Sequence, residues 1–107
     1  MARIVSVATD LMGASRVDAT LTAAGHHVVL ARSIAVASLD GAELIVADLD
    51  AEEATALVGH GVPVLGYYSH VDAATRQAAL DAGVDLVVPR SRMARELPEL
   101  VAGLLGA

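Results

Sequence analysis

The sequence has 107 residues and a mass of 10.9 kDa, enough for one domain with one core and too short for two ordinary ones. Seven basic against thirteen acidic side chains give a net charge of −6, which repels nucleic-acid phosphates and anionic lipid at long range. The absence of cysteine excludes disulfides, thiol catalysis and thiolate metal sites. Hydrophobic residues reach 55%, yet with two tyrosines and no Phe or Trp the core must be aliphatic. No apolar run approaches the ~20 residues that span a bilayer, and "MARIVSVATD" is not a signal peptide.

In chain order, the first short apolar run is Ile4 to Ala8, followed by Leu11, Ala14, Val17, Leu21 and Ala24 at helical spacing, with Gly25 where a helix C-terminal cap belongs. A second run, His27 to Ala31, leads into residues 32–41, where "SIAVASLD" reads as either a short helix or an irregular crossover. The third run, Leu44 to Ala47, ends on Asp48 and is followed by "AEEATALVG", for which Asp50 has the chemistry of an N-cap. Pro63 to Tyr67 forms the fourth run. The segment after it, Asp72 to Ala82, is helical, with Asp72 as N-cap and Gly83 as terminator. A fifth run, Leu86 to Val88, precedes Met93, Leu97, Leu100, Val101 and Leu104 on one helical face, with Pro98 predicting a kink or a delayed start. Five strand and helix alternations predict a single α/β domain over residues 1–107, a three-layer α/β/α sandwich around a parallel sheet.

In open sheets of this kind ligands bind beyond the carboxyl ends of the strands. That edge gathers Ala8, Thr9 and Asp10; Asp48 and Asp50; Tyr68, Ser69 and His70; and Pro89 and Arg90. The stretches that end there, "RIVSVATD", "ELIVADLD", "VPVLGYYS" and "AALDAGVDLVVPRS", together resemble the receiver domains of two-component response regulators (CheY-like), in order and over essentially the whole chain. The resemblance implies a flavodoxin-like fold with five parallel strands in the order 2-1-3-4-5. It also implies a cytoplasmic signalling role and a phosphoacceptor at Asp48.

Laid over these residues, the family pattern is incomplete. Its acidic pair after strand 1 falls on Ala8 and Thr9, leaving Asp10 one residue late, so the implied Mg²⁺ site is reduced to Asp10, Asp48 and Asp50. Its strand-4 Ser or Thr falls on Tyr68, with Ser69 one residue late in this switch region, and its strand-5 aromatic falls on Val87. Arg90 replaces its lysine and Ser91 its proline. Arginine is a planar fork suited to carboxylates, so Arg90 is expected to pair with Asp48. The implied reading is an atypical receiver, a pseudo-receiver, that is not an enzyme and needs no cofactor. Its partner would be a protein, met through strand 4, the helix after it and strand 5, with Tyr67, Tyr68, His70 and Arg92 on that face. The lightly charged, Ala-rich last helix and strand 4 to 5 face also suit a homodimer. A receiver phosphorylated on Asp48 with Mg²⁺ is one alternative, and a small flavodoxin-like ligand-binding protein another. "ATDLMGAS" lacks the glycine spacing of nucleotide loops, and His26, His27 and His60 have no ligand-like neighbours. Ser69, His70 and Asp72 are too close in sequence to be expected in triad geometry.

Overall fold

The computed structural model describes residues 2–69 and 73–106. Five parallel strands form one sheet in the order β2-β1-β3-β4-β5: β1 Arg3–Val7, β2 His27–Ala31, β3 Leu44–Asp48, β4 Val64–Tyr68 and β5 Leu86–Pro89. Four α-helices cover it: α1 Leu11–Ala23, α2 Ala54–Leu57, α3 Ala73–Ala82 and α4 Arg90–Leu104. The expected doubly wound architecture is the one observed. Asp72 and His70, expected as a helix cap and a surface residue, lie outside the described residues.

Strand alternation sorts the core into two layers. On one face Ile4, Val46, Leu65, Tyr67 and Val88 meet Val17 and Leu21 of α1 and Met93, Leu97 and Val101 of α4. On the other, Val5, Val7, Ile45, Ala47 and Tyr68 meet Leu57 and Ala79. Both central strands β3 and β4 are buried throughout, so their apolar runs are continuous rather than alternating. The glycines that end α1 and α3 adopt left-handed conformations, with φ of 95° at Gly25 and 109° at Gly83.

The two layers are unequal. Residues 32–41 form only a 3₁₀ turn, Ile34–Val36, whose first N–H is held 2.9 Å from Glu52 Oε1. The α2 segment is also short. Ala51 and Glu52 both donate to the Asp48 carbonyl, at 3.1 and 3.0 Å, which commits the start of "AEEATALVG" to a turn, and Gly59 and Gly61 at positive φ end it. Asp50 is therefore not the N-cap of α2, whose cap position is Glu53. Two further expectations are corrected. Leu11 does not belong to the buried stripe of α1, which is Ala14, Val17 and Leu21, because it stands on the first turn at 84% exposure. The last helix starts directly after β5 at Arg90 and carries Pro98 in its interior, so its start is not delayed.

Candidate functional site: a guanidinium among three carboxylates

The site forms where β1, β3 and β4 end and α4 begins. Asp48 is the last residue of β3, paired with Tyr67 of β4, and only 3% exposed. One of its carboxylate oxygens accepts the Asp50 N–H at 2.9 Å, and the other accepts Arg90 Nη2 at 3.1 Å. Arg90 is the first residue of α4, where the positive end of the helix dipole disfavours a cation and no acidic residue lies in the first turn. Its side chain turns across the sheet edge to the carboxylates. Nη1 lies 3.6 Å from Asp10 Oδ2, Nη2 lies 4.0 Å from Asp50 Oδ2, and Nε donates to Ser69 Oγ at 3.2 Å. The guanidinium carbon sits 5.0 Å from the centre of the Tyr67 ring, within cation–π range.

Each carboxylate has a second task that fixes it. Asp10 caps α1, its Oδ1 accepting the Met12 N–H at 3.1 Å. Asp50 Oδ2 accepts the Ser69 N–H at 2.9 Å, tying the loop after β3 to the loop after β4. Gly13 gives the guanidinium room, since a Cβ there would stand 3.0 Å from Arg90 Nη1 and 3.1 Å from Asp10 Oδ2. Gly66 makes the matching allowance on the opposite face. Leu49 folds back over it, and a Cβ would meet Leu49 Cδ1 at 2.8 Å.

Energetically, Arg90 and Asp48 form the tight contact of the set. A buried pair gains little net stability against its desolvation cost, whereas removing one partner leaves an uncompensated charge. The Asp10 contact is longer and half-exposed, so it contributes at most about 1 kcal/mol. Tyr67 sits under the pair fully buried, with its hydroxyl free of hydrogen-bond partners among the described residues. Burial, then the negative charge of Asp48, pushes its phenol from 10.0 up to about 12, against an opposing pull from Arg90.

The expected pairing of Asp48 with Arg90 is thus present, and Ser69 joins it. Ser69 lies one residue beyond β4, so strand alternation no longer dictates where its hydroxyl points. Asp10, Asp48 and Asp50 are drawn together, but around Arg90. Among the described residues no group of three His, Cys, Asp or Glu side chains is arranged to hold a metal ion. The interaction face is corrected at two positions. Tyr67 and Tyr68 are 0% and 7% exposed, one in each core layer, because β4 is covered on both faces. Tyr68 consequently offers no hydroxyl at the site where the family pattern has Ser or Thr. Arg92 is exposed and pairs with Glu96 at 3.4 Å. Sequence reasoning missed Gly13, the capping role of Asp10 and the Tyr67 ring. A carboxylate just before a helical period was a readable cap signal for Asp10.

No protein-family model and no curated protein matches the chain. Solved structures match it closely in shape. The BeF3-activated N-terminal receiver domain of Klebsiella pneumoniae RstA has a TM-score of 0.85 at 16% identity, covering 98% of this chain and 99% of that one. A putative response regulator from Chloroflexus aurantiacus also gives 0.85, at 18% identity, covering 99% and 98%. The fold is that of a receiver domain. The non-phosphorylated HemR receiver domain of Leptospira biflexa gives 0.82 at 18% identity over 100% and 96% of the two chains. Receiver structures in an activated and in a non-phosphorylated form are thus both similar to this chain, and the likeness speaks for the fold rather than for a functional state. Within the receiver fold, the Arg90 cluster occupies the carboxyl edge of the strands, where ligands of open α/β sheets bind. Among the described residues no helix is long and apolar enough to cross a membrane.

Proposed function

We propose that this chain is a pseudo-receiver, a protein interaction module for signal transduction that works without phosphorylation. The observation that carries the reading is the occupation of Asp48: both of its oxygens are engaged, one by Arg90 Nη2 at 3.1 Å and one by the Asp50 N–H at 2.9 Å, in a nearly closed setting. Phosphoryl transfer onto a carboxylate needs a divalent cation to offset the charge of the incoming group. Here the guanidinium already stands against the carboxylate, and it is tethered, so a free ion competes against an effectively intramolecular partner. Asp48 then serves as a structural counter-ion and the module as a binding domain rather than a catalyst, with a cytoplasmic setting. Its protein partner meets the side formed by α3, β5 and the start of α4, where Arg92 is exposed.

The test is incubation of the intact protein with acetyl phosphate and Mg²⁺, read by intact mass. No phosphoryl adduct is expected. An Mg²⁺-dependent adduct that disappears in Asp48→Asn would overturn the reading and favour a receiver phosphorylated on Asp48.

A further inference from the structure

Beside the carboxylate cluster, α1 and α4 leave a groove of ≈ 490 Å³ between them. This lies within the roughly 300–1,000 Å³ typical of small-ligand sites. Its floor is apolar: Val17, Met93 and Leu97 are buried beneath it. Met12 lines its edge while remaining 72% exposed, which leaves an apolar side chain in water beside an unfilled concavity. Ala19 and Ala94, with their short side chains, also line it.

The polar groups are few and point to the sign of the ligand's charge. Arg16 lines the groove and, among the described residues, has no ion-pair or hydrogen-bond partner, in a chain whose net charge is −6. At one end stand Arg90 and Asp10, already paired to each other. Arg90 is already matched by Asp10, Asp48 and Asp50, so among the described residues Arg16 is the lining charge without a partner. A concave apolar surface with one unmatched guanidinium is complementary to a small molecule with an aliphatic body and a single negative charge.

We propose that the groove between α1 and α4 binds a small aliphatic monoanion of the carboxylate class, its chain lying on Met12, Val17, Met93 and Leu97 and its head on Arg16. Asp48 does not line the groove, and the head of the ligand is held by Arg16 rather than by the residues of the Asp48 pair. It shares Asp10, Gly13 and Arg90 with the carboxylate cluster.

The experiment is an NMR titration of the full chain with octanoate, below the concentration at which it forms micelles, with octylammonium as the cation of matched length. Saturable shifts centred on the Met12 and Met93 methyl groups are expected with octanoate and not with octylammonium. Arg16→Ala, at an exposed position, is expected to weaken octanoate binding about tenfold, the effect of losing one charge-assisted contact. Ala94→Trp, also at an exposed position, is expected to fill the groove and abolish binding while the melting curve stays cooperative. Equal binding of octylammonium, indifference to Arg16→Ala, or shifts centred elsewhere would each overturn the proposal. Association with phosphatidylglycerol vesicles but not with octanoate would overturn it too, in favour of a membrane surface as the occupant.

Discussion

Arg90 holds its position through the sum of several unequal contacts, and their ranking decides what each substitution does. The Asp48 contact is the closest and the most buried, so Arg90→Ala leaves a carboxylate without its counter-charge inside the sheet edge. A loss of about 2–4 kcal/mol of unfolding free energy is expected in urea titration, with a smaller loss for Asp48→Asn, which removes charge and keeps hydrogen-bonding capacity. Tyr67 gives a separate readout. Its folded-state value of about 12 lies above the ordinary 10.0, so the neutral phenol is favoured by folding. That contribution is fully present below pH 10 and is lost as pH rises through about 12. Phenolate absorbance of a Tyr68→Phe variant, which isolates Tyr67, should rise only near pH 12, with stability falling over the same window. The pairing of Asp48 with Arg90 was legible from residue types at the ends of strands 3 and 5. The burial of the tyrosines was not, because "GYY" at a strand end reads equally as rim or core until both helical layers are in place.

At the scale of elements, strands were more legible than crossovers. The second strand matches its apolar run at both ends, and the others shift by a single residue, since continuous runs of Val, Leu and Ile between turn residues have few other uses in a parallel sheet. Residues 32–41 were ambiguous for a physical reason: their 3₁₀ turn is held by Glu52, 18 residues from Ile34, and local periodicity carries no trace of that contact. Helix α4 shows the opposite case, where burial of Met93, Leu97 and Val101 overrides a local breaker and carries the helix through Pro98. Pro98 lies beyond the first turn, so it forgoes the hydrogen bond to the residue four earlier. Pro98→Ala should therefore stabilise the protein by about 1–2 kcal/mol, after allowance for the freer unfolded chain, as a higher denaturation midpoint at unchanged slope.

Across the whole molecule, the asymmetry of the two layers is the dominant feature. One face of the sheet is covered by helices of 13 and 15 residues, the other by a 3₁₀ turn, a four-residue helix and a helix of 10. Native-state hydrogen exchange measured by mass spectrometry should find β1, β3, α1 and α4 protected close to the global unfolding free energy. Residues 32–43 and 51–62 should open at distinctly lower cost. The junction of β5 and α4 has a further consequence. Because α4 starts immediately after Pro89, the place of Arg90 is dictated by the ladder: Pro89 is paired with Tyr68, and Tyr67 with Asp48. A slip of β5 by one residue would carry the start of α4 about 3.3 Å along the strand direction and pull the Arg90 guanidinium off Asp48. The ion pair thus acts as a gauge of strand registration, closing only when three strands contributed by distant parts of the chain are aligned, and penalising electrostatically the misregistered sheets that an aliphatic core would tolerate.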